Sequence, residues 1–432
     1  MRFTFKTFTC TAKAAALLAL SAAAVSAHTT NTFDAATKLL SLDAVSMGGA
    51  RYGQVKATVN AYSLLGVDGG APGADTFDAA TNLLTLGSVT FQGTTYNNVR
   101  VTIGAYSLLS AEIMGGGEPK PAVTAAYGNL AGADLGAGAS LRGAIPFPAS
   151  NAWNTDISGA AVDANSDALI ASIGLSRGLH PDFGAGLYDG APIGIPYVVV
   201  AGSQPKVAIT FTDYGDESDP GPYPVPADAP IEGQLASGTA FGGDRHVLVI
   251  DRDANRLYEM GNSYPQAGGS WRASGGAVFH LDSNTVRPGG QPGWTSADAA
   301  GLPIFPGLVR FDEASTGVIR HALRFTVAST RRAYVPPATH WASSNTSPNL
   351  PPMGMRVRLK ASYEIPASFS TETRAILQAM KTYGMLVADN GSNWYVSGAP
   401  DARWNNDKLV SELGSVKGAS FEVVRMDGLV TP

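Results

Sequence analysis

The sequence predicts a mainly β protein. Its main domain is expected to be a β-sandwich, a jelly roll or an open barrel with a few helices, preceded by a small β module of two repeats. The chain of 432 residues has 50 glycines, 27 prolines and only 15% charged residues, which is typical of short strands joined by many turns. The recognisable strands do not alternate regularly with helices, which argues against a parallel α/β sheet.

The N-terminal segment, residues 1–27, is predicted to be a cleavable signal peptide. Arg2 and Lys6 give a positively charged start, and an apolar run follows from Ala14 to Val25. At about twelve residues this run is too short to cross a bilayer, and Val25-Ser26-Ala27 fits the small-x-small cleavage rule. We therefore expect a secreted protein, extracellular, periplasmic or on the cell surface, with no membrane span after cleavage.

Cleavage would also change the chemistry available to the chain. It would remove Cys10, the only cysteine, and so exclude thiol nucleophiles, disulfides and Zn–Cys sites. It would leave His28 at the new N-terminus, where an amine and an imidazole together can bind copper. Such a site needs a second histidine nearby, and the repeats that follow contain none. No copper is therefore predicted, and no other cofactor is required.

Residues 28–114 contain a tandem repeat of 44 residues. Thr32–Thr37 returns as Thr76–Thr81, and Ala61–Leu65 returns as Ala105–Leu109. Each copy ends in an alternating strand, as in the segment 99–103, where apolar and other residues follow a two-residue period. The two copies are predicted to stack as a small antiparallel meander with a structural or a binding role.

Beyond the repeats, residues 115–144 are rich in glycine and alanine and are predicted to be a linker. Residues 145–432 follow as the main domain, which holds all six tryptophans and five of the six histidines. Helices are predicted over about 371–383, with Ser370 or Thr371 as the N-cap, and over about 163–173. The predicted strands are Ile195–Ala201, Val207–Phe211, His246–Ile250, His321–Val327 and Met355–Lys360.

The segment Asp213–Asp219 is the first candidate site, because it places four carboxylates within seven residues after a strand. Acids held close together raise each other's pKa, which can give a site one proton donor and one base. We assign Asp216, Glu217 and Asp219 as candidates for one catalytic carboxylate. A solvated acidic loop and a calcium site with oxygen ligands are the alternatives.

Asp298 and Asp389 are candidates for the second carboxylate, because each lies in a turn near a tryptophan. Two carboxylates that flank a tryptophan-lined cleft are the arrangement that glycoside hydrolysis needs. His246 and His321 open predicted strands and are candidates for orienting substrate or assisting proton transfer. No metal site is predicted. The candidate substrate-binding residues are Arg245, Arg324, His340, Trp341 and Trp394.

Six motifs of the main domain resemble a group of secreted bacterial proteins: Leu179–Gly184, Ser218–Pro224, Gly243–Leu248, Gly293–Pro303, His321–Thr326 and Val387–Ser392. The resemblance covers about residues 145–426. It implies export and no particular activity, so no residue role is taken from it. The N-terminal repeats resemble modules appended to other exported proteobacterial proteins.

These observations predict a secreted carbohydrate-active enzyme that cleaves an extracellular polysaccharide, as a glycoside hydrolase with paired carboxylates. A non-catalytic glycan-binding or cell-surface protein is one alternative. A polysaccharide lyase is the other, since histidine, tyrosine and arginine can carry out β-elimination. The net charge of −5, without long basic runs, does not favour a nucleic-acid partner.

Overall fold

The computed structural model describes residues 31–34, 39–47, 50–67, 75–78, 83–91, 94–113, 126–235, 243–285, 287 and 293–432. The chain divides into two compact units, Met1–Ala122 and Val123–Pro432. The predicted signal peptide, its cleavage site and His28 lie outside the described residues. None of the helices in the described part of the chain combines the length and the apolar character needed to span a lipid bilayer.

The first unit is a six-stranded sheet in which each repeat supplies three strands. The strands are β1 (Thr32–Asp34), β2 (Leu39–Met47), β3 (Ala50–Val67), β4 (Thr76–Asp78), β5 (Leu83–Phe91) and β6 (Thr94–Ile113). The strand order is β1-β2-β3-β6-β5-β4, and the consecutive neighbours in this order pair antiparallel. The predicted β module of two repeats is therefore confirmed, but the repeats join through β3 and β6, so the sheet is not one meander in chain order.

The two repeats meet along β3 and β6 with a local two-fold relation. Ala61 pairs with Ala105, which is its own equivalent in the second repeat. On either side of this pair the register is reciprocal, since Val59 pairs with Tyr106 while Tyr62 pairs with Ile103. Equivalent strands thus use the same edge to contact each other, as in an isologous interface between two subunits.

A buried polar contact repeats this relation. Asn31 and Asp75 are separated by the repeat length, and both are buried. The Nδ2 atom of Asn31 donates to Asp75 Oδ2 at 2.6 Å and to the carbonyl oxygen of Ser88 at 3.0 Å. The other carboxylate oxygen of Asp75 accepts from the amide of Gly87 at 2.7 Å. The carboxylate thus joins the start of one repeat to the start of the other.

The second unit is mainly β, with several sheets, none of them closed into a barrel, and is sandwich-like. Its helices are α1 (Ser166–Ile173), α2 (Phe311–Ala314), α3 (Thr371–Thr382) and α4 (Asn406–Ser415). Its strands are β7 (Ala126–Tyr127), β8 (Gly136–Ala137), β9 (Ala144–Ile145), β10 (His180–Asp182), β11 (Leu187–Tyr188), β12 (Ala191–Pro192), β13 (Tyr197–Val200), β14 (Ile209–Phe211), β15 (Val247–Asp251), β16 (Arg256–Gly261), β17 (Tyr264–Pro265), β18 (Trp271–Ala273), β19 (Gly275–His280), β20 (Leu323–Val327), β21 (Arg356–Leu359), β22 (Met385–Asn390), β23 (Tyr395–Ser397) and β24 (Phe421–Val423).

Three sheets organise the second unit. The largest has the order β10-β23-β20-β22-β21-β24, the next has the order β19-β16-β15-β13-β8, and the third has the order β14-β18-β17. The five-stranded sheet is buried on both faces. Tyr197 and Val199 of β13 belong to one apolar cluster, while Val198 and Val200 belong to another. A continuous β-branched run is what such a doubly covered strand requires.

The predicted linker is wrong over its second half. Residues 115–125 lie outside the described part of the chain, but residues 126–144 are part of the second unit. Leu130, Leu141 and Ala144 are almost fully buried in its main apolar cluster. The abundance of glycine and alanine misled the prediction, because small residues also suit tight turns that bring a few apolar side chains into a core.

Helix α3 begins as the sequence predicts. The hydroxyl of Ser370 accepts a hydrogen bond from the amide of Thr373 at 3.2 Å, and the carboxylate of Glu412 in α4 accepts from the amide and the hydroxyl of Ser370. Further along α3, the side chains of Ile376, Leu377 and Met380 are buried in the core. The cap therefore fixes both the start of α3 and its contact with α4.

Removing this cap is expected to cost stability. Ser370→Ala should lower the free energy of unfolding by about 1 kcal/mol, because the amide of Thr373 loses its acceptor. Urea denaturation of Ser370→Ala and of the parent protein measures the difference. Ser411→Ala, which removes an exposed hydroxyl inside α4, is the matched control and should change stability by less than about 0.5 kcal/mol. Equal effects of the two substitutions would contradict the capping role.

Candidate functional site

A buried ion pair lies at the centre of the candidate site. In strand β20 the apolar Leu323 and Phe325 are fully buried, and Arg324 lies between them on the other face. Arg324 Nη2 donates to Asp298 Oδ2 at 2.5 Å, and Nη1 donates to the hydroxyl of Ser397 at 3.0 Å. The side chains of Arg324 and Asp298 are 4% and 0% exposed.

Several titratable groups lie within electrostatic range of this pair. We call them the Arg324 cluster, because charges within the group contribute to each other's pKa values. The titratable members are Asp182, Glu232, His246, Glu259, Asp298, Arg324 and Asp389, and Ser397 is included because its hydroxyl accepts a hydrogen bond from Arg324. The structure therefore brings together four of the residues predicted for the site, His246, Asp298, Arg324 and Asp389, and adds four others.

The pairing of four strands arranges the polar side chains in two rows across one sheet face. Paired residues of neighbouring strands point to the same side of a sheet. The register of β10, β23, β20 and β22 therefore defines the rows. The inner row is Asp182, Ser397 and Arg324, and the outer row is His180, Tyr395, Thr326 and Asp389. All four side chains of the outer row are half-buried, so this row meets solvent.

A bulge in β22 gives Asp389 its orientation. Phe325 pairs with Val387, but Thr326 pairs with Asp389, so Ala388 is an extra residue. In a regular strand Asp389 would point to the side of Val387, away from Arg324. The bulge reverses this, because one inserted residue changes the face of every following side chain. Asp389 consequently shares the face of Arg324.

His246 and Glu232 form a second ion pair at the site. His246 Nδ1 lies 2.5 Å from Glu232 Oε2, and Nε2 lies 2.9 Å from the carbonyl oxygen of Ala297. Burial alone would lower the pKa of His246, but the charge and hydrogen bond of Glu232 outweigh it and raise the pKa to about 9. Because both oxygens accept, both ring nitrogens donate and the ring is a cation.

The pKa values of the carboxylates in the cluster are shifted in opposite directions. Burial raises the pKa of Asp389 to about 6, and the charge of Asp298 adds to this effect. For Glu232, burial would raise the pKa, but the charge and hydrogen bonds of His246 outweigh it and lower the pKa. Asp182 is exposed, and partial withdrawal from water raises its pKa. The side chain of Glu232 is 23% exposed, so all three groups reach solvent.

Glu259 is the deepest acid of the cluster and is fully buried. Its carboxylate accepts hydrogen bonds from the amides of Ile304 and Phe305 at 2.9–3.0 Å. Burial raises its pKa to about 7 in spite of these bonds. Glu259 therefore fixes the turn Phe305–Gly307, which lies against Arg324 through Gly307, and does not itself reach the surface.

These displaced pKa values predict a stability that is greatest in mild acid. His246 stabilises the fold below its ordinary pKa of 6.5, and this contribution is lost as the pH rises through about 9. Glu259 and Asp389 add a cost that appears as the pH rises from their ordinary values toward 7 and 6. Glu313, whose pKa His321 and Arg310 lower to about 2 against the effect of burial, stabilises above 4.5 and weakens toward acid.

We therefore expect the free energy of unfolding to be greatest near pH 5. It should fall by on the order of 3 kcal/mol or more by pH 9. Urea denaturation at intervals of one pH unit measures this profile. The Glu259→Gln variant should show a smaller decline between pH 4.5 and 7, where only the contribution of Asp389 remains, and should keep the decline between 6.5 and 9 that His246 causes. A wild-type profile that is flat from pH 5 to 9 would contradict the assigned charges.

His340 and Trp341 lie at the rim of the cluster. The Nδ1 atom of His340 contacts the carbonyl oxygen of Ala299 at 2.8 Å, and Asn390 Nδ2 donates to the carbonyl of Ala342 at 3.1 Å. The loop that carries both predicted residues is thereby tied to the turns that carry Asp298 and Asp389. Both side chains are half-buried, and the ring of Trp341 already stacks on Tyr334 and lies under the guanidinium of Arg332.

The acidic loop does not join the cluster. Asp219 is buried in an ion pair with Arg287, at 3.0 Å, and Glu217 Oε2 accepts from the amide of Thr295 at 2.8 Å. Asp216 is exposed in a short 3-10 turn. Glu217 and Asp219 therefore have a structural role, because their contacts join the loop to β19 and to the turn before Asp298. The prediction that these acids supply a carboxylate to the same site is corrected.

His321 is also placed elsewhere. It is 1% exposed, and its Nε2 atom lies 3.0 Å from both Glu313 Oε2 and Arg310 Nη2, while Nδ1 contacts the carbonyl of Ala322. Its polar atoms are satisfied within the core, and it precedes strand β20 rather than opening it. The predicted role in orienting substrate is therefore corrected to a structural one.

Three predicted substrate-binding residues are buried. Trp394 is 0% exposed, stacks on Phe325 and donates to the carbonyl of Gly174, so it cannot stack on a sugar. Arg245 lies over the ring of Tyr264, and Arg324 is held by Asp298. The prediction is corrected for all three, since none presents its polar or aromatic face to a substrate.

The residues that the sequence reasoning missed are Asp182, Glu232, Glu259, His180 and Tyr395. The rings of His180 and Tyr395 stack with their centroids 4.1 Å apart in the outer row.

No group of three or more potential metal-ligating side chains suited to an ion is found in the part of the chain that the structure describes. No protein-family model, curated protein or solved structure matches this chain.

Proposed function

We propose that residues 123–432 form a glycoside hydrolase that acts on an extracellular polysaccharide. Asp389 is the general acid, and Glu232 is the base or nucleophile. Asp182 is a third carboxylate, which binds substrate hydroxyls. The predicted signal peptide, residues 1–27, supports secretion and therefore an extracellular polymer as the substrate.

The observation that carries this proposal is a pair of partly exposed carboxylates, Asp389 and Glu232, that both lie within electrostatic range of His246 and Arg324 and whose pKa values are displaced in opposite directions. Glycoside hydrolysis needs one carboxyl group that keeps its proton and one that is ionised at the same pH. Asp389, with a pKa of about 6, can hold its proton in mild acid. Glu232, whose pKa His246 lowers against the effect of burial, is ionised under the same conditions.

The surroundings of the two carboxylates suit a sugar. The stacked rings of His180 and Tyr395 continue the outer row from Asp389 and are half-buried, so they offer an aromatic surface. Behind them, the ion pair of Arg324 with Asp298 fixes the floor without adding a free charge. A neutral polyol that binds through hydrogen bonds and stacking fits this arrangement.

The contacts of the cations favour hydrolysis over β-elimination. A lyase needs a cation that neutralises a uronate and a neutral base that removes a proton. Arg324 is already paired with Asp298 and buried, and both ring nitrogens of His246 are occupied. A purely glycan-binding protein would use the same surface but would not need the opposed carboxylates.

A turnover screen tests the proposal. The full-length protein is incubated at pH 5 with soluble starch, xylan, mixed-linkage β-glucan, galactomannan, chitosan and pectin, and new reducing ends are measured. The expected result is release of reducing ends from at least one polymer, without the ultraviolet absorbance of unsaturated ends. Unsaturated ends would show a lyase instead, and binding without any turnover would show the non-catalytic alternative.

A further inference from the structure

The hairpin of β11 and β12 exposes two large apolar side chains. Tyr188 is 70% exposed and Leu187 is 59% exposed. Neighbouring residues of a strand point to opposite faces, so both faces of this hairpin meet solvent. The hairpin therefore projects from the second unit, and exposed apolar side chains of this kind mark contact surfaces.

The turn of the hairpin holds Tyr188 in a defined position. Leu187 pairs with Pro192 and Tyr188 pairs with Ala191, which leaves a two-residue turn. Both turn residues, Asp189 and Gly190, have positive φ angles of 48° and 88°. This is the conformation that matches the twist of the flanking strands in tight hairpins. A ligand that contacts Tyr188 thus meets a preformed surface, which reduces the entropy lost on binding.

The hairpin is linked to two members of the Arg324 cluster, by the chain on one side and by a packing contact of its turn on the other. Asp182 precedes Tyr188 by six residues, which corresponds to at most about 20 Å of extended chain. On the other side, Gly190 packs against Leu235, since a Cβ atom on this glycine would lie 3.1 Å from the leucine side chain. Leu235 follows Glu232 by three residues. The chain therefore holds Tyr188 within about 20 Å of Asp182, and the turn of the hairpin contacts the segment that carries Glu232.

The chemistry of the hairpin selects the kind of ligand. Tyr188 offers an aromatic face and a hydroxyl, and Asp189 beside it offers a carboxylate that accepts hydrogen bonds from sugar hydroxyls. The segment 182–194 contains no lysine or arginine, so it has no attraction for an anionic membrane or nucleic acid. A neutral sugar can stack on the aromatic ring of Tyr188 and donate a hydroxyl hydrogen bond to the carboxylate of Asp189 at the same time.

We propose that Tyr188 and Asp189 form a subsite for a polysaccharide chain that extends beyond the cleaved bond. The inference rests on the proposed function and deepens it, since it makes the enzyme prefer long chains over short ones. The subsite binds sugar units several positions away from Asp389 and Glu232. It contributes to the binding of the polymer and leaves the chemical step unchanged.

Kinetics on long and short substrates test this subsite. With the polymer that the turnover screen identifies, Tyr188→Ala should raise KM roughly three- to tenfold and leave kcat unchanged. With the shortest cleaved oligosaccharide of the same polymer, neither constant should change. Tyr188→Trp, which keeps an aromatic face, should restore the polymer KM. The matched control is Tyr214→Ala, which removes a 52% exposed tyrosine from the acidic loop and should have no effect.

An unchanged polymer KM in Tyr188→Ala would overturn the subsite, as would an equal change on both substrates or an equal change in Tyr214→Ala. Retardation of the same variants in native gels that contain each of the six polymers separates the two proposals. If a polymer retards the parent more than Tyr188→Ala but is never hydrolysed, the subsite stands and the hydrolase fails. If no polymer is hydrolysed and none retards the parent, both are overturned.

Discussion

Replacing Arg324 with methionine is expected to lower the free energy of unfolding by about 3–5 kcal/mol. Methionine fills a similar volume but leaves the carboxylate of Asp298 without its counter-ion. Asp298 is 1% exposed, and burial already raises its pKa although Arg324 and the amide of Ala300 lower it. Without Arg324 the charge would have to be neutralised in the core or the core would have to open. Urea denaturation at pH 7 measures the loss.

Two further variants isolate the cause. Arg425→Met removes an ion pair with Asp427 whose side chains are 62% and 76% exposed, so it should leave the free energy of unfolding almost unchanged. The double variant Arg324→Met with Asp298→Asn should be more stable than Arg324→Met alone, because the unpaired charge is gone. If Arg324→Met costs no more than Arg425→Met, the ion pair does not support the site.

If residues 123–432 act as the proposed glycoside hydrolase, replacing Asp389 with asparagine is expected to reduce kcat/KM about 10²- to 10⁴-fold on the polymer that the turnover screen identifies. The amide keeps the shape of the side chain but cannot give a proton to the leaving oxygen. Glu232→Gln should cause a loss of the same order, because it removes the ionised partner. Initial rates of reducing-end release measure both, and circular dichroism shows whether the folded state is kept.

The pH profile gives an independent view of the same two groups. In the wild type, kcat/KM should fall as the pH rises through about 6, where Asp389 loses its proton, and should also fall in acid below the ordinary carboxylate range, where Glu232 gains one. Asp216→Asn, in the exposed acidic loop, is the control and should change the rate by less than about twofold. A large loss in that variant, or full activity in Asp389→Asn, would contradict the assignment.

Local patterns in the sequence predicted five strands of the second unit, β13, β14, β15, β20 and β21, and helix α3. The run at 195–201 contains Tyr197–Val200 of β13, and the predicted strand at 321–327 contains β20, because β-branched and alternating segments specify strands with little help from their surroundings. Helix α3 was recognisable because its cap, its apolar stripe and Gly384 at its end are all local signals. The boundaries differ by one or two residues.

The site was predicted only in part, because its members depend on pairing between distant strands. His246, Asp298, Arg324 and Asp389 were recognised as acids, bases and cations next to strands or turns. Glu232 lies in an ordinary proline- and glycine-containing loop, and only its contact with His246 distinguishes it. The orientation of Asp389 depends on a bulge opposite Thr326, which no local pattern announces.

Burial explains the residues that were wrongly chosen. Trp394 follows a turn that looked exposed in sequence, yet its ring lies between Phe325 and Phe421 in the core. Asp219 looked like one of four free acids, but Arg287 neutralises it. In both cases a partner far away in sequence decides whether the side chain meets solvent. Such partners become visible only once the chain is folded.

The reciprocal pairing of β3 with β6 around Ala61 and Ala105 gives the N-terminal unit the organisation of a homodimer whose two subunits are joined in one polypeptide. Two separate chains, each with one copy of the 44-residue repeat, could form the same reciprocal strand pairing. Joining the copies replaces an association that depends on concentration with an intramolecular one, at an effective concentration in the millimolar range for a short tether. Covalent fusion therefore makes assembly of this sheet independent of the concentration of the protein, an independence that would matter most under the secretion that residues 1–27 predict.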